Sequence, residues 1–218
     1  MIIGIVGHIG SGKDTVGNII TQHTQGRRDS FAAPLKDVCA SIFGWERKLL
    51  EGDTIESREF RETPDIFWTR KTGIDNFTPR LALQLMGTDV LRDHFHTDIW
   101  IKSLEYRMRK VSNSDTTVIT DARFQNELDI IKHLGGTIIW VQRGELPDWY
   151  ETAVKANSGN VVSKRIMTTR HRDVHQSEWD WAGYPVEHII RNTGTLAELE
   201  FKTQSILEQI TARQSKTA

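Results

Sequence analysis

Gly7, Gly10 and Gly12, followed at once by Lys13, Asp14 and Thr15, have the residue types and the spacing to hold a chain of phosphates. The pattern is G-x-x-x-x-G-K. Glycines let the backbone curl until successive N–H groups converge on phosphate oxygens. Gly10, Ser11 and Gly12 would form that cradle, and Lys13 would reach the β- and γ-phosphates as a mobile point charge. One departure stands out. The usual pattern has Ser or Thr after the lysine, whereas here Asp14 comes first and the hydroxyl follows at Thr15. Two readings stay open. Asp14 holds Mg²⁺ directly or through water while Thr15 meets a phosphate, or Asp14 caps the start of a helix. A second carboxylate suits the same chemistry. The β-rich run Thr116–Thr120 ends in Asp121, which could hold Mg²⁺ or its waters beside the glycine loop. Arg123, two residues on, could reach a phosphate.

These groups need elements to place them. Ile2, Ile3, Ile5 and Val6 make the short apolar run of a strand buried on both faces. A helix over 13–24 is expected after the loop, its N-terminus adding partial positive charge at the phosphates. Arg27–Phe31 is a weak strand signal. Pro34 starts a helix that runs to about Phe43, with Lys36 in its first turn. A second strand would deliver Lys36 to the sheet edge where ligands bind in open α/β folds, although a solvated surface lysine is the plainer reading. Further strands are expected at 116–120, 138–141 and 186–190, and helices at 123–134 and after Asn192. Thr195 reads as an N-cap with Glu198 as its capping-box partner.

Two stretches are irregular by pattern. Residues 44–79 interleave Arg47, Lys48, Arg58, Arg61, Arg70 and Lys71 with Trp45, Trp68 and Phe77. Such a mixture can stack a base and clamp a phosphate, or it can be a solvated, partly helical flap, and it reads as an insertion over the site, mobile before ligand binds. Helical spacing resumes at Pro79, placing Arg80 and Gln84 on one face, with a break expected at Gly87-Thr88-Asp89. Trp100 lies in a helical segment over 97–111, where core packing is its default role. Residues 145–185 form the second irregular stretch, basic and suited to a lid. Histidines 171 and 175 lack the further Cys or His partners of a zinc site. Net charge is −1 over 218 residues, which gives no footprint for nucleic acid. The one cysteine, Cys39, sits in an apolar helical stretch and fits a reducing compartment. No run is long enough to span a membrane, and a strand beginning at residue 2 leaves no room for a leader. A soluble, cytoplasmic protein is the expectation.

Several of these stretches together resemble the deoxynucleoside monophosphate kinases of tailed bacteriophages. The resemblance lies in Gly-x-x-x-Ser-Gly-Lys-Asp-Thr at 7–15, Ala-x-Pro-Leu-Lys-Asp at 32–37 and Arg-Glu-Thr at 61–63. It continues in Arg80, Gln84, Gly87-Thr88-Asp89 and Trp100. It returns in Asp121-x-Arg123 with Glu127, in His175-x-Ser-Glu178 and in Asn192-x-Gly-Thr195. The region 145–174 is least alike. The resemblance implies a P-loop three-layer sandwich, with a parallel sheet of about five strands between helices. It implies a monophosphate-binding insertion over 44–112 and a lid-like insertion over 145–185. The implied reaction is phosphoryl transfer from ATP, with Mg²⁺, to a deoxynucleoside 5′-monophosphate, in the host cytoplasm if phage-encoded. Gly10 to Thr15 would hold the ATP phosphates and Asn192, Gly194 and Thr195 would seat the adenine. Lys36, Arg61, Arg80, Gln84, Gly87, Thr88 and Trp100 look like the monophosphate pocket. Lys13, Asp121 and Arg123 look like groups at the transferred phosphoryl, with Asp14, Thr15 and Asp121 as metal oxygens. Phage members of the family suggest a homodimer. The competing expectations are a dephospho-coenzyme A or phosphomevalonate type of kinase, and a nucleotide-binding regulator without turnover.

Overall fold

The computed structural model describes residues 1–112 and 115–214. They divide into two compact units, Met1–Ser30 with Met108–Ala218, and Phe31–Arg107. The second unit therefore starts before the expected insertion boundary at 44 and includes the helix that carries Lys36.

The first unit is built on five parallel strands in the order β2-β3-β1-β4-β5. They are β1 (Ile2–Val6), β2 (Arg27–Asp29), β3 (Thr117–Ile119), β4 (Thr137–Gln142) and β5 (His188–Arg191). Ile3 is aligned with Val118 on one side and Thr137 on the other, so β1 sits at the centre. Parallel strands need crossover helices on both faces, which is why β1 and β4 read as continuous apolar runs. Helix α1 (Lys13–Thr24) lays Val16, Ile19 and Ile20 on the sheet, and α11 (Leu196–Gln214) adds Leu199, Leu207 and Ile210 to the same core. Ile5 and Ile139 are fully buried there. Cutting either back to alanine would cost about 2–5 kcal/mol. Because all strands run one way, the loops after β1, β3, β4 and β5 emerge at a single edge. Helix α7 (Gln125–His133) follows β3, and the Thr195–Glu198 capping box opens α11 as expected.

The stretch 145–185 is not irregular. It forms α8 (Tyr150–Asn157), α9 (Val161–Thr169) and α10 (Gln176–Trp179). Their apolar anchors are mostly aromatic or small, a pattern that helical periodicity reads poorly. Tyr150, Ala153, Trp179 and Trp181 are buried, and Asn157 Nδ2 donates to the carbonyls of Trp179, Asp180 and Ala182.

The second unit is helical: α2 (Ala33–Phe43), a 3₁₀ turn at Arg47–Leu50, α3 (Ile55–Glu62), α4 (Ile66–Thr72), α5 (Pro79–Gln84) and α6 (Ile99–Met108), which ends at the boundary between the units. Residues 44–79 hold three short helical pieces, the last two with side-chain N-caps. Thr54 and Asp65 accept N-cap bonds from Ser57 N–H and Trp68 N–H. Their aromatics form a core. Phe43 stacks on Trp45 at 4.5 Å and meets Trp68 and Phe77 edge-on or tilted. Nor does the helix break at Gly87-Thr88-Asp89. It widens into a π-helix over Leu85–Phe95, closing with His96 N–H on the Leu91 carbonyl at 3.0 Å. Wide turns absorb a glycine that would otherwise interrupt the pattern. No helix among the described residues is long and apolar enough to cross a membrane.

Candidate active site

The glycine loop leaves β1 and closes onto α1 at the C-terminal edge of the sheet. Gly12 is the N-cap, with φ 94°. That left-handed conformation disfavours any side chain, and a Cβ there would lie 2.5 Å from Asn192 Nδ2. Asn192, at the end of β5, donates from Nδ2 to the Ser11 carbonyl at 2.9 Å. It braces the cradle from outside, so the residue expected to seat adenine also shapes the phosphate loop. Thr195 spends its hydroxyl and its N–H on Glu198. Arg143 Nη1 donates to the Gly10 carbonyl at 3.5 Å.

Lys13 follows the cap in the first turn of α1. Its amine is drawn below its usual value, first by burial and then by the Arg123 guanidinium, against the pull of Asp14 and Glu178. The Arg123 guanidinium is thus one of the charges that act on Lys13. The Arg123 guanidinium donates to Glu178 at the head of α10, and its backbone N–H donates to Glu127 Oε2 at 2.8 Å. Glu127 is buried and also accepts from Phe124 N–H, fixing the turn after β3. The His-x-Ser-Glu motif thus supplies the carboxylate that holds Arg123.

Asp14 lies in the first turn of α1, whose N-cap is Gly12. Its Oδ1 accepts from Arg28 Nη2 at 2.6 Å and from Thr120 Oγ1 at 2.8 Å. Arg28 also donates to Thr120 Oγ1, and from Nη1 to Asn18 Oδ1 at 2.8 Å. Burial raises the Asp14 carboxyl, but these hydrogen bonds and the charges of Arg28 and Lys13 outweigh it and hold it below its usual value. Asp14 Oδ2 has no partner among the described residues, and the side chain is 67% exposed. Thr15 is exposed, and Asp121 is half-buried directly after Thr120. Magnesium takes oxygen ligands, commonly one or two carboxylates plus substrate phosphates. Asp14 Oδ2, Thr15 and Asp121 fit that demand.

His8 and Arg28 carried no signal in the sequence. Yet the His8 ring lies among Trp149 at 5.4 Å, Tyr150 at 6.0 Å and Trp181 at 5.0 Å, and Trp140 stacks on Tyr150 at 5.7 Å. The loop is seated on Trp149, Tyr150 and Trp181 of the 145–185 stretch, with Trp140 of β4 packed against Tyr150 and Trp181. Ser11 N–H donates to the His8 carbonyl at 3.1 Å, tying this seat to the phosphate cradle.

In the second unit, Glu51 brings Lys36 and Arg61 together. Its carboxylate takes Lys36 Nζ and Arg47 Nη1, each at 2.5 Å, and its carbonyl accepts from Arg61 Nη1 at 3.3 Å. Burial raises the Glu51 carboxyl, and the two cations more than reverse this. Arg80 Nη1 meets Glu62 Oε1 at 2.5 Å, one residue along α3 from Arg61. Gln84 and Thr88 are exposed. Gly87 and Trp100 are packing elements: the indole donates to the Gly87 carbonyl at 3.0 Å, and a Cβ on Gly87 would lie 2.6 Å from Leu35 Cδ2.

A family model described as deoxynucleotide monophosphate kinase matches residues 46–203. A protein of Acanthamoeba polyphaga mimivirus that carries a deoxynucleotide monophosphate kinase name is 37% identical, over 66% of this chain and 74% of its own. The deoxynucleoside-5′-monophosphate kinase of Escherichia phage T5 is 29% identical, over 61% of this chain and 72% of its own. The deoxynucleotide monophosphate kinase of Escherichia phage RB69 is 31% identical over 61% of this chain and 46% of its own.

Proposed function

The chain belongs to the deoxynucleotide monophosphate kinase family, and from that premise we propose that it transfers the γ-phosphoryl of ATP to a deoxynucleoside 5′-monophosphate. The observation that carries the reading is the grouping in one unit of a glycine cradle on a helix N-terminus, Lys13 in its first turn, and Arg123 within electrostatic reach of that lysine. Phosphoryl transfer asks a protein for positioning and for charge at the equatorial oxygens. The backbone N–H groups at Gly10 to Thr15 bind the ATP phosphates. Lys13 neutralises charge on the β- and γ-phosphates, and Arg123, released from Glu178, follows the moving phosphoryl. Magnesium, if bound with the nucleotide, would supply neutralisation of the charge that develops on the phosphates. Asp14, Thr15 and Asp121 are the oxygens that would hold it.

Lys36, Arg61 and Arg80 bind the acceptor phosphate. Each already has an oxygen partner in the second unit, and a dianionic phosphate is a stronger one than a singly charged carboxylate or a carbonyl. No general base is needed, because the attacking oxygen belongs to a phosphate ionised at neutral pH. The test is ADP release from ATP against a panel of dNMPs, dephospho-coenzyme A and phosphomevalonate. Turnover with at least one dNMP, and none with the other two, is expected. Silence with every dNMP sinks the reading.

A further inference from the structure

Arg28 stands on the edge strand β2, aligned with Val118 of β3, so its backbone is fixed by the sheet. Its guanidinium meets three side chains from two other elements: Asn18 and Asp14 on α1, and Thr120 at the end of β3. Thr120 in turn donates to the same Asp14 oxygen. We propose that Arg28 is a positioning residue for the nucleotide-bound metal. It fixes Asp14 through Oδ1, leaves Oδ2 for magnesium or its water, and locks the start of α1 to the strand end that carries Asp121. The proposal rests on the kinase reading for its ligand, a metal–nucleotide complex.

The chemistry of the substitution supports it. A hydroxyl after the loop lysine has one oxygen on a short stem and needs no guide. An aspartate on an exposed first turn has two oxygens and free rotation, and it sets a negative charge beside a polyphosphate. One planar guanidinium answers both problems. Its fork spans Asn18 and Asp14 in fixed geometry, and its charge offsets the carboxylate. Lysine has the charge but no such fork. Partners that orient a metal ligand without touching the metal commonly shift affinity strongly when removed.

The experiment uses full-length Arg28→Lys, Arg28→Gln and Thr120→Val proteins, with Mn²⁺ as the probe. Mn²⁺ affinity in the ADP complex is read by electron paramagnetic resonance, and ADP affinity in EDTA by calorimetry. Arg28→Gln and Arg28→Lys should weaken Mn²⁺ binding about 10- to 100-fold, with metal-free ADP binding and melting temperature close to wild type. Adding Asp14→Asn to Arg28→Gln should cost little more, because the two act as one unit. If Arg28→Gln does not fold, Arg28→Lys and Thr120→Val give the same reading. Unchanged Mn²⁺ affinity, or an equal loss of metal-free ADP binding, overturns the proposal. A wild-type protein that binds Mn²⁺ and ADP normally but phosphorylates no dNMP defeats the kinase reading and leaves this inference standing.

Discussion

The two units handle positive charge in different ways. In the first, the cradle is made of backbone at the end of a strand buried from Ile3 to Val6, with Gly12 in a left-handed turn and Asn192 bracing the Ser11 carbonyl. In the second, the cations are long side chains on short helices, held by side-chain and carbonyl partners of the same unit: Lys36 and Arg47 on Glu51, Arg61 on its carbonyl, Arg80 on Glu62. On the proposed reading, a backbone cradle of this kind would need little reorganisation when phosphate binds, the property expected of a site that stabilises a transition state. The second would exchange one oxygen ligand for another, which suits an acceptor that must enter and leave each turnover. The contrast predicts that variants in the first unit act mainly on kcat and variants in the second mainly on KM for the acceptor.

Lys13→Ala should break the first half of that contrast most heavily. Loss of one fixed electrostatic donor costs about 10²- to 10³-fold in kcat. Coupled-assay turnover should fall by that order with the circular dichroism spectrum unchanged. Activity near wild type would mean that the loop is not the engine. Arg61→Ala and Arg80→Ala come next. On the proposed reading each would remove a charged hydrogen bond to the acceptor phosphate worth about 1.5–3 kcal/mol, so KM for the dNMP should rise about 10- to 100-fold. KM for ATP should hold steady. Equal changes in both constants would erase the distinction between the units.

Glu51→Gln sharpens the same contrast with a smaller effect of opposite sign. If Glu51 keeps the place of a phosphate, removing its charge frees Lys36 and lowers KM for the dNMP. Partly exposed pairs are worth at most about 1 kcal/mol, so the gain should be about fivefold or less. A higher KM would make Glu51 part of the site's frame.

The same contrast explains what the sequence made legible. Backbone sites leave a spacing, so the strand, Gly7 to Lys13, and Asp121 could be read from β-pattern and glycine positions alone. Cys39 was legible too, as an apolar helical residue. It is buried, and burial pushes its thiol up to about 11, which leaves no ready nucleophile. Partners set by three-dimensional packing leave no spacing. Arg28 fell within a weak strand signal, and His8 and Glu51 carried no pattern at all. The helices in 44–79 and 145–185 were hidden for another reason. Most are eight or nine residues or fewer, and their buried faces are made of Trp, Phe, Tyr and Ala rather than an aliphatic stripe, so periodicity had little to count.

The last and smallest effect concerns the seat of the glycine loop. Burial among Trp149, Tyr150 and Trp181 lowers the affinity of His8 for a proton, with Glu178 opposing and Lys13 adding to the shift. The unfolded chain binds that proton at its ordinary pKa of about 6.5. Below that pH the unfolded state holds more protons than the folded one, so stability is full above it and declines as pH falls toward the folded-state value. His188 is shifted the same way, by burial and by Arg213, with Glu187 opposing, and contributes a slope of its own. His8→Phe keeps the ring contacts and removes one titrating group. Urea midpoints between pH 7.5 and 5.5 should therefore fall less steeply in His8→Phe than in wild type, with the His188 share remaining. Parallel slopes would mean that the loop is not seated through a neutral His8. The aromatic wall would then be packing for α8 alone, and the first unit's cradle would owe its rigidity to the backbone and Asn192 without help from the 145–185 stretch.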